Sequence, residues 1–144
     1  MAFVVHSDWI TRQFDGTASL DLDDTVGGST INLGIVTESS INPDTVSLFS
    51  SLTAVGTATG WTGPVTLSSK TFDDSGGVHT FDAADISQIA QDAGGFTTGR
   101  TVVIYDSSTS YILATSVEAS VFGNVSGPLD ITFDAAGIFT ISRA

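Results

Sequence analysis

The sequence has no cysteine, only three prolines and only four cations against sixteen acids, and each shortage closes a class of function. Without cysteine there is no disulfide framework, no thiolate nucleophile and no cysteine zinc site. The cations Arg12, Lys70, Arg100 and Arg143 are scattered, and the net charge is −12. Phosphate backbones are held by clustered Lys and Arg, so direct nucleic-acid binding is excluded as a reading. An acidic membrane surface is excluded on the same ground. No window approaches 18 consecutive apolar residues, so no membrane-spanning helix is expected. The opening MAFVVHSDWI lacks a basic flank and a long apolar run and does not read as a signal peptide. Neither GxGxxG, GxxxxGK nor the GxSxG elbow occurs, and no cofactor is expected.

What is present favours strands. Apolar residues make up 41% of 144 residues, enough for one core, while Lys, Glu and Leu are sparse beside Ser, Thr, Val, Ile and Phe. The expected fold is all-β, an antiparallel β-sandwich of jelly-roll type with one or two short helices. It forms a single domain over 1–144, with 1–17 as an N-terminal arm or short helix. SDWITRQFDG reads as that helix, with Ser7 as N-cap, Gly16 just past its end, and Trp9, Ile10 and Phe14 on one face. TINLGIVT is a strand with Ile31, Leu33 and Ile35 on one side. Val65–Leu67 open a strand that shifts phase at Ser68–Ser69, the mark of a bulge. DDSGG is a turn, ADISQIAQDAGG a short helix, and TVVIYD a strand buried on both faces that pairs in a hairpin with YILATSVEASV.

The closing stretch LDITFDAAGIFTISRA keeps its alternation to the end. It reads as a hairpin turning at DAAG, with Leu129, Ile131 and Phe133 on one side of the first strand and Phe139 and Ile141 on one side of the second. The expected core comprises Ile31, Leu33, Ile35, Val103, Tyr105, Ile112, Ile131, Phe133, Phe139 and Ile141.

No catalytic constellation stands out. The histidines are His6 and His79, and in HTFD the side chains of His79 and Asp82 fall on opposite strand faces. The acids of DLDD, Asp73–Asp74 and Asp82 with Asp85 read as solvated turn formers rather than a carboxylate pair or a calcium loop. Trp9, Trp61, Tyr105 and Tyr111 offer rings for sugar stacking, Trp61 from a glycine-rich loop.

Taken in order, DLDDTVGGSTINLGIVTESSINPDT, SLFSSL, GTATGWTGPVTLSSKTF, FDAADIS, GRTVVIYDSSTSYILATSV and LDITFDAAGIFTIS resemble a family of small structural proteins encoded among the head genes of tailed bacteriophages. The resemblance spans most of residues 20–142. It departs at YILATSV, where the family often carries a longer insertion, and at the N-terminus MAFVVHSDW. It implies a virion component, a capsid decoration or cement protein on the outer capsid surface, with the major capsid protein shell as partner and a homo-oligomer (trimer or dimer) as the binding form. Other readings are a tail or head–tail joining virion protein, and a carbohydrate-binding or host-attachment module. The first five residues are apolar with no evident pairing partner. Phe3, Val4, Val5, Trp9 and Arg12, with Trp61 in its loop, are therefore the expected partner-binding residues; no catalytic, cofactor or metal residue is expected.

Overall fold

The computed structural model describes residues 1–16, 20–23 and 28–142. Its elements in chain order are β1 (Val4–Val5), α1 (Ser7–Asp15), β2 (Ile31–Val36), β3 (Val65–Thr66), β4 (Thr71–Ser75), β5 (Val78–Asp82), β6 (Ile86–Ile89), β7 (Gly99–Asp106), β8 (Ile112–Phe122), β9 (Leu129–Ile131) and β10 (Phe139–Ser142). A single 3-10 turn at Phe49–Ser51 lies between β2 and β3. Every strand pairing among the described residues is antiparallel, so the all-β expectation holds.

Three sheets form: five strands in the order β1-β8-β7-β2-β3, three in the order β10-β5-β4, and the pair β6-β9. The five-stranded sheet is buried on both faces, because its central strands are apolar at nearly every position. On one face, Ile31, Leu33 and Ile35 of β2 and Val102 and Ile104 of β7 share the main core with Phe81 of β5, Ile131 of β9 and Phe139 of β10. The smaller sheets thus close over this face as a second layer. On the other face, Val36, Val103, Tyr105 and Ile112 make a second core with Ile41, covered by Val46, Phe49 and Leu52. Phe49 stacks on Tyr105 with ring centroids 4.1 Å apart. Gly34 permits this: a Cβ there would stand 2.5 Å from the Phe49 ring. The continuous run TVVIYD is therefore read correctly as buried on both faces. Of the expected core, all are buried except Ile141, which is half-buried.

Four expectations need correction. ADISQIAQDAGG holds no helix; Ile86 and Ile89 of β6 pair with Ile131 and Leu129 across a register shift. The three-residue spacing that suggests a helix face is here an irregular strand, where β-branched Ile finds cross-strand partners. VTLSSKTFD is more than a bulged strand. Ser69 takes φ 51° between β3 and β4, and those strands belong to different sheets. The closing stretch makes its two strands and its turn, with the Gly137 N–H donating to the Asp134 carbonyl at 2.8 Å, but no hairpin. Its strands take successive partners instead, β9 on β6 and β10 on β5. The DAAG turn is an excursion that absorbs the excess of residues 132–138 over residues 82–85 opposite. Finally, α1 is capped at His6, not Ser7, and by extended backbone without a side-chain bond. Gly16 ends it in the left-handed region at φ 76°, as expected.

Candidate partner-binding site

The N-terminal arm is tied down rather than free. Val4 and Val5 pair with Thr115 and Ala114, making β1 the outer strand beside β8. Phe3 is half-buried against Phe133, ring centroids 6.1 Å apart. The Leu113 carbonyl accepts two bonds, from the His6 N–H at 2.9 Å and the Trp9 indole N–H at 3.0 Å. One carbonyl on β8 therefore anchors both the arm and α1. The sequence shows two consecutive valines but cannot show that an open edge of β8 awaits them.

His6 reinforces that anchor. It is fully buried, with Nδ1 2.9 Å from the Val46 carbonyl and Nε2 3.1 Å from Thr115 Oγ1. A carbonyl only accepts, so Nδ1 carries the proton and Nε2 receives the Thr115 hydroxyl. Burial pushes the His6 pKa down from its ordinary value, opposed by the Val46 carbonyl and the charge of Asp44. Both ring nitrogens are thus engaged within the fold. His79 stacks on Phe72, centroids 5.7 Å apart.

The other expected contact residues also face inward. Trp9 is buried in the main core, 5.9 Å from the Phe139 ring. Arg12 lies 4.1 Å over the Tyr111 ring and 3.4 Å from Asp8, so its charge serves α1 and the residue just before β8 first. Trp61 is only 2% exposed and packs edge-on to Phe96 at 6.0 Å. Trp9, Trp61 and Tyr105 are all buried, so three of the four rings expected to offer a sugar platform have no free face. Of the six expected contact residues only Val4, 55% exposed, presents most of its surface to solvent.

Trp61 is sealed by a polar staple. Asn124 is fully buried; its Nδ2 donates to the Ala90 carbonyl at 2.9 Å and its Oδ1 accepts the Phe96 N–H at 3.1 Å. Its backbone exchanges bonds with Phe96 and Asp92. Asp92 in turn accepts the Gly94 N–H at 2.9 Å. That bond heads the causes that hold the Asp92 carboxyl below its ordinary range, with backbone bonds from Thr59 and Gly60 adding to it. These loops close because every buried polar group of the staple has a partner.

The opposite situation holds beside α1. A cavity of about 410 Å³ lies between α1, the segment 20–23 and the sheet β10-β5-β4, lined by apolar Trp9, Ile10, Phe14, Leu22, Phe72 and Ile141 among others. Phe14 lines this cavity with Trp9 and Ile10, the residues whose helix face it was expected to share, yet it is 89% exposed, the most exposed of the large apolar side chains among the described residues. The segment over the cavity is held by Gln13, whose Nε2 donates to the Leu20 carbonyl at 2.8 Å and whose Oε1 accepts the Leu20 N–H at 2.9 Å. The alternation of Leu20 and Leu22 with acids is the one sequence signal for this wall. Asp21 is exposed beside it.

Among the described residues, no group of three or more His, Asp or Glu is placed to hold a metal ion, and no helix is long and apolar enough to cross a membrane. No family model, no curated protein and no solved structure matches the chain.

Proposed function

We propose that the chain is a virion structural protein of a tailed bacteriophage, a decoration protein that binds the outer surface of the head as a dimer or trimer and stabilises the shell. The motif order across residues 20–142 supports this reading. So does the chemistry of the scaffold. An antiparallel fold with two apolar cores and locked loops suits a clamp that resists deformation. Net charge −12 keeps many crowded copies apart from one another except at chosen contacts. An oligomer bridging several shell subunits gains effective concentration, so modest single contacts suffice.

The observation that carries a binding role is the exposed Phe14 beside an open, mostly apolar cavity, larger than the pocket of about 250 Å³ at Phe96, Val121 and Phe122. Burying a Phe side chain yields about 1.5–3 kcal/mol, and here that stabilisation is left for a partner. Binding through Trp9 or Trp61 would require opening the core, so the contacts assigned to them pass to Phe14 and its neighbours and to the exposed Val4. The sugar-binding reading loses three of its four rings, and Arg12 lies over the fourth, Tyr111.

Mass spectrometry of purified particles, before and after a chaotrope wash, tests the proposal. The protein should be present at high copy number and leave the head before the shell subunits do. Recombinant protein should also occupy undecorated heads and raise their disruption temperature. A protein recovered only on tails, or only inside heads, sinks the reading. Deleting residues 1–12 is a poor test, because it removes β1 and two-thirds of α1.

A further inference from the structure

We propose that the cavity beside α1 receives an apolar side chain from a partner polypeptide whose flanking residues are Lys or Arg. Three independent features point there. The cavity is preorganised, because the Gln13 carboxamide clamps both backbone groups of Leu20. Asp21 and Ser29 exchange bonds as well, the Ser29 N–H donating to the Asp21 carbonyl at 2.8 Å and the Ser29 hydroxyl accepting the Asp21 N–H at 3.0 Å. The wall therefore needs little ordering on binding, which is where affinity is otherwise lost.

Its size comes next. About 410 Å³ sits at the low end of the roughly 300–1,000 Å³ typical of ligand sites. It suits one or two large side chains, and exposed Phe14 beside it supplies an aromatic anchor of the kind found at interface hot spots.

Charge then chooses the occupant. Asp21 lies exposed at the rim of a chain with net charge −12. A second copy of this chain brings the same excess of acid to this rim, so contacts between copies belong on another face. A fatty acid would bring its carboxylate to the same rim. A polypeptide with an apolar side chain between basic residues satisfies both the cavity and its mouth. The inference rests on the decoration reading only for the partner's identity, a shell subunit.

The probes are three capped peptides, Lys-Phe-Lys, Glu-Phe-Glu and Lys-Ser-Lys, and sodium dodecanoate below its micellar concentration. Each is titrated into the full chain while amide resonances are followed by NMR. Lys-Phe-Lys should shift the amides of Ile10, Phe14, Phe72 and Ile141 saturably and should weaken with added salt. The other two peptides should bind at least about tenfold more weakly, the equivalent of about 1.4 kcal/mol. Phe14→Ser should cut Lys-Phe-Lys binding severalfold while leaving the remaining spectrum in place. Absence of saturable shifts at these residues, equal binding of Glu-Phe-Glu, or tighter binding of dodecanoate each overturns the proposal. A parallel head-occupancy assay separates the two readings. Wild-type occupancy unchanged by Phe14→Ser removes the cavity from the interface and leaves decoration standing. No occupancy by wild type removes decoration, while the peptide titration still decides the cavity.

Discussion

Two tryptophans, almost equally buried, sit in opposite kinds of neighbourhood. Trp61 and Trp9 are 2% and 4% exposed. Around Trp61 the chain is glycine-rich loop, yet the ring itself is closed off, because Asn124 joins the loops at Ala90, Asp92 and Phe96 and the pocket beside Phe96 and Phe122 stops short of it. Around Trp9 the chain is regular helix, yet the region is open: Ile10 and Phe14 border a cavity. Regular secondary structure does not guarantee closure, and loop does not preclude it. What decides is whether buried backbone polar groups are satisfied and whether an opposing surface reaches the apolar face.

The most disruptive test breaks the closed side. Asn124→Ala deletes two side-chain bonds and leaves the Phe96 N–H without that partner in the interior and the Ala90 carbonyl without it at a part-buried position. The expected loss of stability is about 3–5 kcal/mol, read from urea denaturation. A loss below 1 kcal/mol, on the order of a single hydrogen bond, would mean water replaces the carboxamide and the region is not closed.

A smaller effect sharpens the same point. A Cβ on Gly95 would meet Asn124 Oδ1 at 2.1 Å and the Asp92 carbonyl oxygen at 2.9 Å. The carboxamide cannot swing away without losing its bonds, so Gly95→Ala should cost about 1–3 kcal/mol. In the Asn124→Ala background the share of that cost due to the carboxamide should vanish, leaving only the close approach to the Asp92 carbonyl. Additive losses would show that the clash lies elsewhere.

The two sides should also part company in acid. The His6 pKa is lowered, so folding favours its neutral form. Its stabilisation is fully present above the ordinary value of 6.5 and declines as pH falls below it, where only the unfolded chain takes up the proton readily. The decline ends once the pH has passed the lowered folded value. The Asp92 pKa is lowered too, so its contribution is present above the ordinary value of 3.8 and is lost as pH falls further. Denaturation midpoints between pH 7 and pH 5 should therefore fall for the wild type more than for His6→Gln, and Asp92→Asn should not alter that difference. Equal slopes for wild type and His6→Gln would show that the anchor of β1 and α1 does not depend on the neutral imidazole.

Legibility in the sequence follows the same physics. β2, β7 and β8 could be read because each carries enough consecutive apolar or alternating residues to define its own phase, and the DAAG turn because Gly137 marks it. Pairing was less legible. β9 and β10 are adjacent in sequence and patterned alike, so a hairpin is the local inference; only the long-range match to β6 and β5 overrides it. The site was least legible. Phe3, Val4 and Val5 look unpartnered because their partners, Phe133 for Phe3 and β8 for the two valines, lie more than a hundred residues away. Trp61 looks accessible because nothing in GTATGWTGP announces Asn124. Phe14 looks internal because four-residue spacing from Ile10 says which face it shares but not whether anything covers that face.

The smallest expected effect bears most directly on the open side. Phe14 is 89% exposed and its ring is paired with no other aromatic ring among the described residues. Replacing it by Ser should leave stability within about 0.5 kcal/mol of wild type, the range for surface positions away from caps and cores. The helix loses little, since Ser and Phe have similar helical preference. A large loss would mean that the ring folds back over Ile10 and Leu22 in solution, that the cavity is closed in the free protein, and that the contrast between the two tryptophan neighbourhoods is lost. Unchanged stability with lowered head occupancy would instead separate folding from binding at one residue. Asn124→Ala supplies the opposite control: stability falls, while heads saturated with whatever folded protein remains should bind it through an intact cavity.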